Sequence, residues 1–181
     1  MERQIDITAN RRARKWTTRE LVGRVLWETL GKCLFAWSPR PAWAWRRGVL
    51  RLFGAKVGRD VRIDPTARVS IPWNLSLGDC AGIGERAILY SLGRITVGKN
   101  ATISQNAHLC AGSHDFRDPA MRLTKPPITV GDGAWICADA FLGPGITIGE
   151  FSVVGARAVV MRDVAPGIVV AGNPAVQVGV R

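Results

Sequence analysis

Apolar residues recur along this chain with two different periods, and the period changes near residue 56. From Thr17 to Trp37 the charged residues Glu20, Arg24, Glu28 and Lys32 stand at every fourth position, with Leu21, Val22, Val25, Leu26, Leu30, Cys33, Leu34 and Trp37 between them. Residues spaced by three or four share one face of a helix, so this stretch predicts an amphipathic helix. Thr17 or Thr18 serves as its N-cap and Ser38-Pro39 as its stop. Pro41 can open a second, shorter helix that runs through Leu52 and ends at Gly54.

From Val57 onward an aliphatic residue returns every six positions, at 57, 63, 69, 77, 83, 89, 97, 103, 109, 130, 136, 142, 148, 154 and 160. A small residue usually follows four places later, as at Ala81, Ala101, Ala134 and Ala158. A helix repeats near 3.6 residues and a strand repeats every 2, so a period of six means a short strand plus a corner. Three such strands close a triangular coil whose aliphatic side chains fill a narrow prism. The ladder predicts five coils stacked at about 4.8 Å, an all-β solenoid roughly 24 Å long. The expected organisation is a helical segment over 1–56, a β-helix domain over 57–176 with a loop insertion at 115–126, and a tail over 177–181.

Composition narrows the class. Of 181 residues, 47% are apolar and 22% charged, which fits neither a disordered chain nor a membrane bundle. Apolar runs are short or broken by Pro and Gly, and Arg24, Glu28 and Lys32 interrupt the one candidate signal core, so a cytoplasmic protein is expected. Four scattered cysteines form no CxxC pair and read as small buried thiols in a reducing compartment. The net charge of +11 is uneven: residues 1–56 hold 13 Lys and Arg against 4 Asp and Glu, and five of the seven tryptophans. Three readings of that segment stand. It packs on the following domain or a neighbouring subunit, it makes peripheral contact with an anionic membrane through 17–53, or it binds nucleic acid. Arg interleaved with Trp suits a lipid interface better than a phosphate track, and no helix-turn-helix or finger signature is present, so no nucleic-acid partner is expected.

The chain has only two histidines, His108 and His114. His114 stands at the entrance of the polar insertion Asp115–Pro126, where a loop leaves a rigid scaffold. An ordinary imidazole titrates at about pH 6.5 and can take a proton from a hydroxyl at neutral pH. Asp115 and Asp118 are both candidates to orient it. His108, one repeat earlier, reads as a surface corner residue.

Over residues 57–176 the chain resembles the hexapeptide-repeat acyltransferases, most densely in PITVGDGAWICADAFLGPGITIGEFSVVGARAVVMRDV and AGNPA. That block is similar to the maltose, galactoside and nodulation O-acetyltransferases. CAGSHDFRDPAMRL and WRRGVLRLFGAKVG resemble, more narrowly, the colanic acid biosynthesis acetyltransferases. The resemblance implies a left-handed parallel β-helix, where general crossover rules would give the right hand. It implies an acetyl-CoA-dependent O-acetyltransferase acting on a sugar hydroxyl in exopolysaccharide or surface polysaccharide assembly, with no tightly bound cofactor.

It further implies that His114 is the catalytic base and that Trp135 borders the acceptor and donor channel. Ala138 and Ala156 would line the pantetheine arm, Arg162 would meet the 3′-phosphate of coenzyme A, and Asp115 would lie near the acceptor. Cys137 replaces a usual Gly and reads as a tolerated substitution. Relatives are homotrimers with sites between prisms, so His114 and Trp135 would come from different subunits. β-Helix carbonic anhydrases need three histidine ligands for zinc, which two histidines cannot supply, so no metal site is expected. The acceptor is a sugar or a lipid-linked oligosaccharide. Rival readings are a non-catalytic scaffold and an acyltransferase that draws on an acyl carrier protein.

Overall fold

The computed structural model describes residues 5–181; residues 1–4 of the expected helical segment lie outside the described residues. The ladder builds a three-sided parallel β-helix. Face one stacks Lys56–Val57, Leu75–Leu77, Ile95–Val97, Ile128–Val130 and Thr147–Ile148. Face two stacks Arg62–Ile63, Gly82–Ile83, Thr102–Ile103, Trp135–Ile136, Val153–Val154 and Ile168–Ala171, and face three runs from Arg68–Val69 through His108–Cys110 and Phe141–Leu142 to Val159–Val160. Ladder residues pair with their equivalents one coil away, as Leu77 does with Val97 and Ile136 with Val154.

All the ladder side chains except half-buried Val57 are buried in the prism. Each fully buried aliphatic side chain contributes about 1.5–3 kcal/mol. The expected count of five coils falls short, because a sixth, partial turn follows. Val164 bridges Ile148 on face one, and Ile168–Ala171 adds to face two. Residues 177–181, expected as a tail, instead lie largely in the strand Val176–Val180, which folds back antiparallel on Ile168–Ala171 and covers the end of that sheet.

The corners explain the rest of the repeat. The residue before many of the small ones adopts a left-handed backbone, as at Cys80, Asn100, Asp139 and Arg157, with φ near +54 to +59°. That turn aims the next side chain into the prism, where it is usually Ala or Ser, with Val61 and Ile146 at two corners. The Gly after many ladder positions has a different cause. A Cβ at Gly78 would fall 2.6 Å from the Lys99 nitrogen of the next coil, so the corner backbones stack too closely for a side chain.

Among the described residues, four helices precede the prism. Helix α1 is Ile7–Arg12, which the apolar spacing did not predict. Helix α2, Thr18–Leu26, begins at a capping box in which Thr17 and Glu20 exchange bonds, and it continues through a π turn at Trp27–Gly31 into α3, Lys32–Ala36. Helix α4 is Trp43–Leu52, closed by Gly54 at φ +87°. No helix of the described residues is long and apolar enough to cross a membrane.

These helices plug the first coil. Trp27 is buried, donates its indole N–H to the Val69 carbonyl at 2.8 Å, and meets Phe35 and Phe53 edge-on. Arg46 on α4 is wholly buried, its guanidinium donating to the carbonyls of Ile63, Pro39 and Arg40 and to the Ser38 hydroxyl. Burial pulls its pKa below the ordinary value and nearby Asp64 opposes that pull. Of the three readings of this segment, packing on the following domain therefore accounts for one face of each helix. A second face is left over.

Candidate active site

The insertion after coil three is not a free loop. Ser113–His114 pairs antiparallel with Leu123–Thr124, which makes a short hairpin at the edge between faces three and one. His114 sits on that hairpin, exposed, with Nδ1 2.6 Å from the Met121 carbonyl oxygen. A carbonyl can only accept, so the facing nitrogen carries the proton and Nε2 is left as the basic one. Met121 itself turns through φ +44° to present that oxygen.

Helix α1 holds the hairpin tip in place. Asn10 donates its side-chain amide to the carbonyls of Ala120 and Met121, at 2.7 Å each, and the Asp6 N–H donates to the Pro119 carbonyl at 2.8 Å. At the hairpin base, Lys125 donates to the Lys15 carbonyl and lies 3.5 Å from the centre of the Trp16 ring, which Arg24 also approaches at 4.3 Å. The helical segment, the hairpin and the prism together form a cleft of about 360 Å³, lined by Trp16, Arg24, Glu28, Ser70, Tyr90 and His114. Charged, hydroxyl and aromatic side chains line the cleft together with His114. Such a set can hydrogen-bond a polyhydroxylated molecule and accept a proton from a hydroxyl.

Several expectations change here. Neither Asp115 nor Asp118 orients His114. Asp115 accepts from the Arg117 N–H, while Asp118 accepts from the Ala120 N–H and pairs with Arg122 at 3.0 Å; both carboxylates shape the loop. His108 is no surface corner. It lies in a strand of face three between Ile88 and Phe141, half-buried, edge-on to Tyr90 and Phe141, with its Nε2 buried and without a partner. Desolvation pushes its pKa down. The cysteines are not all buried: Cys33 and Cys80 are exposed. Burial raises the thiol pKa of Cys110 and of Cys137, which leaves them protonated and poor nucleophiles.

Trp135, on face two, is half exposed between Thr102 and Val153 and donates its indole N–H to the Ser104 hydroxyl at 2.9 Å. Ala138 and exposed Ala156 occupy equivalent corners of successive coils between faces two and three, and the Arg157 N–H donates to the Ala138 carbonyl at 2.9 Å. Arg162 is exposed at the edge between faces three and one, in a groove of about 550 Å³ shared with Met161, Pro174 and Gln177. The cleft around His114 contains none of Trp135, Ala138, Ala156 and Arg162. Within one chain Trp135, Ala138 and Ala156 thus lie on face two and at the corner after it, away from the edge that carries His114, while Arg162 stands on that same edge, two coils further along.

Sequence reasoning missed Asn10, Trp16, Ser70, Tyr90 and the Met121 carbonyl. Arg24 and Glu28 were visible as charges on a helix, but with nothing to mark them off from solvated ones.

No protein-family model matches the chain. It is 44% identical over 151 residues to a putative colanic acid biosynthesis acetyltransferase, WcaF, of Escherichia coli (strain K12), spanning 83% of each chain. Among solved structures, a hexapeptide-repeat containing acetyltransferase of Vibrio cholerae O1 biovar eltor, complexed with acetyl coenzyme A, superposes with a TM-score of 0.84 at 25% identity over 92% of this chain and 91% of that one. A galactoside acetyltransferase in complex with coenzyme A superposes with a TM-score of 0.81 at 25% identity, over 98% and 92% of the two chains. The fold is the left-handed parallel β-helix, with its helical segment included in the match. A non-catalytic scaffold is set aside by these enzymes.

Proposed function

The chain belongs to the hexapeptide-repeat acetyltransferases, and on that premise we propose that it transfers the acetyl group of acetyl-CoA to a sugar hydroxyl in the assembly of a surface or exopolysaccharide. The observation that carries this reading is the contact of His114 Nδ1 with the Met121 carbonyl, which leaves Nε2 as the basic nitrogen on a residue that lines a cleft of about 360 Å³ with charged and hydroxyl side chains. The colanic acid relative and the galactoside enzyme supply the substrate class.

In the proposed reaction, Nε2 of His114 takes the proton of an acceptor hydroxyl as that oxygen attacks the thioester carbonyl carbon. The carbonyl becomes a tetrahedral oxyanion, which backbone N–H groups at the coil corners stabilise. Collapse expels the coenzyme A thiolate and forms the ester, and the proton on Nε2 passes to the departing sulfur. Trp16, Arg24, Glu28 and Tyr90 hold the acceptor. Trp135, Ala138, Ala156 and Arg162 line the donor, the cationic Arg162 suiting a phosphate. Because Trp135, Ala138 and Ala156 lie away from the His114 edge of their own prism, the working unit is a homotrimer in which His114 of one copy meets face two of the next.

The test is a donor-consumption screen against nucleotide-linked and lipid-linked sugars. The proposal expects coenzyme A release with at least one sugar and formation of an alkali-labile ester on it. Consumption with amine acceptors alone would contradict it.

A further inference from the structure

The helical segment has a face that neither the prism nor the cleft uses. Around α2 and α3, Trp27, Gly31 and Phe35 point into the core, and Arg24 and Glu28 line the cleft. On the remaining side Leu21, Val22, Val25, Leu26 and Leu30 are each about half exposed, and Trp37 is 95% exposed. Thr29 and Cys33 are the other exposed residues of that stripe, so no charge interrupts it between Arg19 at its start and the Glu28–Lys32 ion pair on its rim. Beside it, between α3 and α4, runs an apolar groove of about 450 Å³ lined by Leu30, Leu34, Trp37, Ala42 and Trp45.

We propose that this face lies in the surface of an anionic phospholipid bilayer. The stripe is a helical face with apolar residues at its centre and a Trp at its end, the pattern of a helix that lies in the headgroup plane. Charge selects the partner. Residues 1–56 carry 13 Lys and Arg against 4 Asp and Glu, and Arg11, Arg12, Arg14, Arg19, Arg40 and Arg51 are exposed. A second copy would bring the same positive surplus to the contact, whereas anionic headgroups neutralise it, at about 1 kcal/mol for each basic residue near the surface. The docking stands on this surface alone. Its consequence rests on the acyl-transfer reading: since α2 also forms a wall of the His114 cleft, an acceptor sugar carried on a membrane lipid would be presented to Nε2 at the bilayer surface.

The experiment is flotation of the full chain with vesicles of phosphatidylcholine alone or with about one-third phosphatidylglycerol. The chain is expected to float with the anionic vesicles, to stay largely behind with the neutral ones, and to be released by salt. The double variant Val25→Glu, Leu30→Glu, at exposed positions, is expected to bind about tenfold or more weakly while its melting temperature and its acetylation of a water-soluble acceptor stay unchanged. Failure of the unaltered chain to float, or equal flotation of the variant, overturns the proposal. So does a loss of assembly mass by light scattering in the variant, which would assign the face to a second copy. Flotation reads no chemistry, so a failed acetyl-transfer assay leaves this result standing by itself.

Discussion

The Nδ1 of His114 points at the carbonyl oxygen of Met121, 2.6 Å away, and Asn10 from the far end of the chain donates to that same oxygen at 2.7 Å. The tautomer of His114 is therefore set by a backbone group which is itself held by a helix residue 111 positions away in sequence. Asn10→Ala removes two bonds from the hairpin tip and should lower kcat about tenfold, the worth of one to two hydrogen bonds. The KM for acetyl-CoA and the fraction of chains that bind coenzyme A should not change. A loss of that binding fraction instead would mark Asn10 as merely structural.

Arg24 lines the cleft and stacks on Trp16. Arg24→Ala should raise the acceptor KM by about threefold to tenfold and leave the donor KM alone. Steady-state kinetics with each substrate varied in turn separates the two.

His108 contributes a pH dependence of stability. Its folded pKa lies below the ordinary 6.5 because burial disfavours the imidazolium. The unfolded chain thus takes up this proton at higher pH than the folded chain does. Stability must then fall as pH drops below about 6.5, until the folded pKa is passed. His108→Phe, which keeps an aromatic ring beside Phe141 and Tyr90 and removes the unpartnered Nε2, should match or exceed the unaltered chain at pH 7 and lose less stability in acid. Chemical denaturation at a series of pH values measures the difference.

Arg46 ties α4 and the α3–α4 turn to coil one through four acceptors. Arg46→Leu leaves those four acceptors without their donor, while Asp64 keeps Arg40 at 3.8 Å. It should cost about 3 kcal/mol or more, read as a lowered urea midpoint.

The prism was legible because its constraint is local. A residue either fits inside the coil or it does not, and Val97, Ile103 and Leu109 repeat at the spacing that geometry demands. The capping residue Thr17 and the stop at Gly54 were legible for the same reason. The sixth turn was not, since Val164 follows Val160 after four residues instead of six and carries Val170 out of phase with the ladder. Most of the cleft was hidden too. Asn10 meets Met121 and Trp16 meets Lys125 across more than a hundred residues, and nothing in their local sequence announces the contact. Asp115 and Asp118 misled because proximity in sequence to His114 put their side chains into loop turns and not onto the ring.

The most direct measurement is turnover of His114→Ala set beside its affinity for coenzyme A. If Nε2 of His114 is the base, transfer should fall about a hundredfold or more while the affinity for coenzyme A stays within about twofold. Near-normal turnover in that variant would contradict the account, whatever its fold and its relatives.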